Sequence, residues 1–182
     1  RCSNAFSATG SAIAEFIKLN VSDRKESYKA TIDAVTVKIA KVRKDAMGTV
    51  LASISFNAKT DTISTSSTPF YMHSEGVTLA NGVLKIGSSY NNSDVKYVGF
   101  KINATGIAYI TVNAYKSDAT KSVNLDVKNI TSGAAKESVV IDGLQDYVVQ
   151  VEINGETDIH IYRQGATGLM INSITVEVYE KK

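Results

Sequence analysis

Bond-making and bond-breaking chemistry needs a positioned nucleophile or an acid–base pair, and this chain supplies little of either. It has two histidines, His73 and His160, and one cysteine, Cys2. It lacks Gly-x-Ser-x-Gly, His-Glu-x-x-His, Gly-x-Gly-x-x-Gly and phosphate-loop signatures. Paired carboxylates for glycoside cleavage need only a suitable separation in space. The acidic residues, however, are scattered, and Asp126, Glu152 and Glu177 fall at outward strand positions where solvated charge is the ordinary outcome. The sequence therefore reads as non-enzymatic. A single cysteine excludes an internal disulfide and a thiolate metal cluster. The turn Ser89-Tyr90-Asn91-Asn92-Ser93-Asp94 offers oxygens of the kind calcium accepts, without the EF-hand spacing. The expectation is no cofactor, with calcium the one ion such a turn would suit.

The residues with recognition chemistry are aromatic and amide-bearing. A sugar ring presents an apolar C–H face bordered by hydroxyls, so its binding surface wants an aromatic plane beside groups that donate and accept hydrogen bonds. Tyr109, Asn113 and Tyr115 share one strand face; His160, Tyr162 and Gln164 share another, with Arg163 at the strand end. These seven are the candidate ligand contacts, and the competing reading is ordinary cross-strand packing of tyrosine on a wet sheet. Absence of tryptophan disfavours a flat platform for crystalline polysaccharide. Lys38, Lys41, Arg43 and Lys44 form the one basic cluster, too brief for a phosphate-neutralising surface. Nucleic acid is not an expected partner.

The elements that hold these residues change character along the chain. Over residues 1–48, Tyr28, Ile32, Val35, Ile39 and Val42 recur at intervals of 4, 3, 4 and 3, the stripe of an amphipathic helix. The competing reading is a strand, because many of these residues are β-branched. Either way, that stripe is a candidate partner interface. From residue 49 onward the apolar period is two. Runs are expected at 50–56, 77–79, 83–86, 95–102, 107–115, 122–128, 138–141, 147–153, 157–162 and 171–179. Asn81-Gly82 forms a hairpin turn, and a bulge is expected near Asn172-Ser173. No helix-length segment separates the strands, so the fold class is mainly β, an antiparallel two-sheet sandwich of jelly-roll type over residues 49–182.

At 182 residues, 43% of them hydrophobic, the chain can bury a core, and a net charge of +2 excludes a basic nucleic-acid arm. No apolar run approaches the ~20 residues of a membrane helix. The chain opens on Arg1-Cys2 rather than Met, as a processed form would. Ser, Thr, Asn and Tyr on the strand surfaces suit an extracellular or cell-surface setting.

Gly99-Phe100-Lys101-Ile102, the run Ala108 to Tyr115, Val123 to Val127, Ile159-His160-Ile161-Tyr162-Arg163 and Gly168 to Glu177 form a recognisable layout. With Phe70 and Gly82 to Ile86, this layout over residues 70–182 resembles the β-sandwich accessory modules attached to bacterial pectate lyases and other polysaccharide-active enzymes. The resemblance implies a non-catalytic module that binds or positions a polysaccharide or glycan. The rival expectation is a structural subunit of a surface layer, pilus-like filament or adhesin. Its N-terminal stripe would then pack on, or be donated to, identical subunits.

Overall fold

The computed structural model describes residues 48–88 and 96–181. The expected N-terminal segment with its stripe of Tyr28, Ile32, Val35, Ile39 and Val42, and the turn at 89–94, lie outside them.

The described residues form nine antiparallel strands: β1 (Val50–Asn57), β2 (Phe70–Met72), β3 (Val77–Ala80), β4 (Val83–Ile86), β5 (Val98–Lys116), β6 (Val123–Asn129), β7 (Glu137–Val140), β8 (Gln145–Gly165) and β9 (Leu169–Tyr179). β5 and β8 run antiparallel from the Val98/Ile161 pair to the Ala114/Gln145 pair. The second half of β5 also pairs with β9, which carries β4 and β1 in succession on its other edge. The first half of β5 pairs with β2, and the last third of β8 pairs with β6, which carries β7. One hydrogen-bonded sheet thus folds over on itself into a sandwich, with β5 and β8 passing through both layers. Phe56 of the first layer meets Phe70 of the second at 5.9 Å between ring centroids, and Phe70 meets Phe100 at 5.6 Å.

Period-two patterning places the core as expected. Ala108, Ile110, Val112 and Ala114 are fully buried, as are Val123, Leu125 and Val127. Asn81 and Gly82 take positive φ in the β3–β4 hairpin, where the twist of a two-residue turn requires it. The expected bulge is present: Asn113 pairs with Ser173 and Ala114 with Ile171, leaving Asn172 as the extra residue.

Two expectations fail for one reason. The runs at 95–102 and 107–115 are a single strand, and so are those at 147–153 and 157–162. Asn103 to Gly106 and Asn154-Gly155 have turn composition, but they lie opposite one another, Ala104 facing Gly155 and Gly106 facing Ile153. The ribbon turns from layer to layer here without losing its ladder. Gly155 takes φ 70° at the bend, and a Cβ on Gly106 would sit 2.1 Å from the Tyr179 carbonyl oxygen.

Asp126 was expected on the solvated side, yet it is fully buried. Ser138 Oγ donates to its Oδ1 and Lys136 Nζ to its Oδ2, both at 2.5 Å, so β7 and the loop before it roof that carboxylate.

Candidate functional site

The candidate contacts named from sequence occupy three environments. Tyr109, Asn113 and Tyr115 lie half-buried on the outer face of the first layer. There Ser53, Glu177, Tyr109 and Gln150 form one cross-strand row, and Asn57, Ser173, Asn113 and Asp146 another. Their polar atoms are engaged within the sheet: Asn113 Nδ2 donates to Asp146 at 2.7 Å, and Asn172 Nδ2 donates to Asn113 Oδ1 at 2.8 Å. Tyr109 packs edge-on against Tyr179 at 5.4 Å. Burial, then the hydrogen bond its hydroxyl gives Glu177, pushes the Tyr179 phenol up to about 12.

His160, Tyr162 and Gln164 lie on the outer face of the second layer, so the two groups do not form one surface. His160 and Tyr162 are not the exposed side chains expected; 7% and 6% of their surfaces remain accessible. Tyr97 stacks flat on the His160 ring, 3.6 Å between centroids and 8° between planes. Lys136 lies 5.9 Å from the Tyr162 ring centre and donates to Gln164 Oε1 at 2.5 Å.

Arg163 is a correction. It follows Ile159 and Ile161 at period two, so it faces the core with them and is 1% exposed. Its Nε donates to the Gly87 carbonyl at 2.8 Å, and its Nη1 to the carbonyls of Gly165 and of Thr167, the latter at 3.1 Å. Desolvation lowers the guanidinium pKa from its ordinary value. This side chain ties the strands together and is not presented to a ligand.

Recognition chemistry concentrates beside these residues, on Tyr71, Lys101 and Asp158. Asp158 is two residues before His160 on the same face of β8 and pairs in register with Lys101 of β5. The Tyr71 hydroxyl donates to Asp158 Oδ1 at 2.5 Å. A phenol has one proton to give, so its contact with His160 Nε2 at 3.1 Å makes it the acceptor there and places a hydrogen on Nε2. The Tyr71 ring lies across Gly99, where a Cβ would come within 2.2 Å of Cζ. Lys101 and Asp158 make no ion pair with one another among the described residues. An ammonium and a carboxylate thus stand side by side, each able to take an external partner.

A groove passes over this pair. On one side it is a cavity of about 330 Å³ walled by Thr65, Ser66, Ser67, Thr68 and Pro69 and floored by Tyr71, Lys101 and Asp158. On the other is a cavity of about 220 Å³ bounded by Thr131, Glu156 and Thr157 and sharing Lys101 and Asp158. The 65–69 loop is held by its own hydroxyls: Ser67 Oγ accepts from the Ser64 N–H at 2.9 Å and donates to the Phe70 carbonyl at 2.6 Å. Thr131 Oγ1 accepts from the Asp158 N–H at 2.9 Å. The candidate list did not contain Tyr71, Lys101, Asp158 or this loop. The available signals were the run of hydroxyls before Pro69-Phe70-Tyr71 and the Asp158/His160/Tyr162 alternation.

Burial first, and then the hydrogen bond to Asp158, raises the Tyr71 phenol well above its ordinary value of 10.0. The folded state therefore holds a proton that the unfolded chain releases above about pH 10. The associated stability is complete below that pH and is lost as pH rises further. Denaturant unfolding from pH 9 to 11 should show a shallower decline for Tyr71→Phe than for the parent chain; equal slopes would contradict the assignment.

Among the described residues no group of three or more His, Cys, Asp and Glu side chains comes together to hold a metal, and no helix is long and apolar enough to cross a membrane.

No family model matches the sequence, and no curated protein matches it. Solved structures similar to the chain are mostly carbohydrate-binding modules with a β-sandwich fold. One is the xylan-binding module CBM15, at 12% identity and TM-score 0.47, with 72% of this chain and 99% of that chain covered. Another is a family 35 carbohydrate-binding module from Clostridium thermocellum, at 11% identity and TM-score 0.48, covering 69% and 98%. A third is a family two carbohydrate esterase from Cellvibrio japonicus, at 12% identity and TM-score 0.43. That match takes in 70% of this chain and 34% of the esterase, so the chain spans about a third of that protein's length.

Proposed function

We propose that this domain is a non-catalytic, extracellular or cell-surface module that binds a glycan in the groove over Lys101 and Asp158. The observation that carries the reading is an ammonium and a carboxylate held side by side with no ion pair between them, next to a tyrosine ring and under a hydroxyl-bearing loop. Sugar hydroxyls donate to the carboxylate and accept from the ammonium, while the Ser/Thr wall does both. Tyr71 keeps Asp158 oriented by donating to one of its oxygens.

Binding is favoured over turnover because Asp158 and Glu156 project from one face of a single strand, so both would lie beneath a bound chain and not on opposite sides of one bond. Cleavage of a glycosidic bond needs carboxyl groups flanking that bond.

Isothermal titration against neutral and acidic oligosaccharides tests the proposal. Saturable binding is expected, weakened about tenfold, or ~1.4 kcal/mol, in Asp158→Asn. A flat response to every glycan, or binding indifferent to Asp158→Asn, would refute it.

A further inference from the structure

Building on the glycan reading, we infer that the groove takes an interior stretch of an uncharged chain, at least two sugar units long, with the Lys101–Asp158 row seated beneath the linkage. The two cavities share Lys101 and Asp158 and otherwise have different walls. A site for one ring would need only one such cavity; here a second with its own walls adjoins the first across the shared pair. The walls come from the loop before β2, from β2, β5 and β8, and from Thr131 beyond β6. From β2 to the β6 side is three interstrand spacings of about 4.8 Å, roughly 14 Å, more than a single ring covers. Thr65, Ser66 and Thr68 at one end and Thr131 and Glu156 at the other are all exposed, so neither end is closed and a chain can continue past both.

Charge narrows the class. The first cavity carries one ammonium and one carboxylate; the second adds Glu156 to the same pair and has excess negative charge. A chain bearing a carboxylate on each unit would set one of them against Glu156 and Asp158. A chain bearing only hydroxyls gives both carboxylates donors and leaves Lys101 a ring or hydroxyl oxygen to serve.

The test is isothermal titration of the whole chain at low salt. The ligands are neutral xylose, mannose and glucose oligomers of one to four units, and oligogalacturonates of the same lengths. The expected result is at least tenfold tighter binding of some neutral dimer or trimer than of its monomer. Oligogalacturonate of equal length should bind at least tenfold more weakly, with the gap shrinking as salt is added and in Glu156→Gln. Thr131→Ala should reduce the gain from the second unit. Equal affinity for monomer and oligomers would overturn the two-unit site, and tighter binding of oligogalacturonate would overturn the uncharged chain. Failure of every ligand, neutral and acidic, would instead count against glycan binding itself.

Discussion

Arg163→Met should cost the domain about 3–5 kcal/mol in denaturant unfolding, the sum of two or three charge-assisted hydrogen bonds at roughly 1.5–3 kcal/mol each, less what relaxation recovers. The guanidinium is 1% exposed and donates to the carbonyls of Gly87, Gly165 and Thr167. Gly87 follows β4 in the first layer, whereas Gly165 ends β8 and Thr167 lies in the β8–β9 connection, so the side chain ties the end of its own strand and the turn after it to the segment after β4. Methionine fills the space but leaves these carbonyls without their charged donor, and the one on Thr167 is buried. Set against the ~5–15 kcal/mol of an ordinary domain, the loss is a large fraction of total stability. Arg163→Lys keeps a charge but not the planar fork, and it should recover less than half of the loss. A variant within 1 kcal/mol of the parent would show that the carbonyls find other partners.

The second large effect is on binding and comes from a residue that touches no ligand. In Gly99→Ala the new methyl would stand 2.2 Å from Tyr71 Cζ and 2.5 Å from its hydroxyl oxygen, so the ring must leave. Asp158 then loses its donor, and the first cavity loses part of its floor. Affinity for glycan should fall about tenfold or more, with a stability cost of roughly 1–3 kcal/mol for the displaced packing. Gly143→Ala is the matched control, since a Cβ there meets nothing within 4 Å. In a Tyr71→Ala background, Gly99→Ala should have little further effect on affinity, because the two changes act through one ring. Additive losses would mean that Gly99 matters for another reason.

What the sequence made legible was the strand faces, because period-two alternation is itself the imprint of a sheet with one side buried. Ala108, Ile110, Val112 and Ala114 and the bulge at Asn172 follow from spacing, and the Asn81-Gly82 turn from residue type. The same alternation, carried two residues past Ile161, puts Arg163 in the core and not at an open strand end, and the partners that hold it there are backbone carbonyls that no residue pattern announces. His160, Tyr162 and Asp126 were assigned the correct face but the wrong exposure, since what covers them comes from other segments, Tyr97 for one and Lys136 with Ser138 for the rest. Asp158 and Tyr71 meet across 87 residues of chain, and β2, which positions Tyr71, is three residues long, too short to show a period.

Titrating isotopically labelled protein with a neutral oligosaccharide, while following every backbone amide by two-dimensional NMR, tests the central claim most directly. The largest shifts should fall on residues 65–68, Phe70, Tyr71, Lys101, Thr131 and 156–160, while the amides of Tyr109, Asn113 and Tyr115 stay where they are. Shifts centred on that second group, or spread evenly over the domain, would contradict a groove at Lys101 and Asp158.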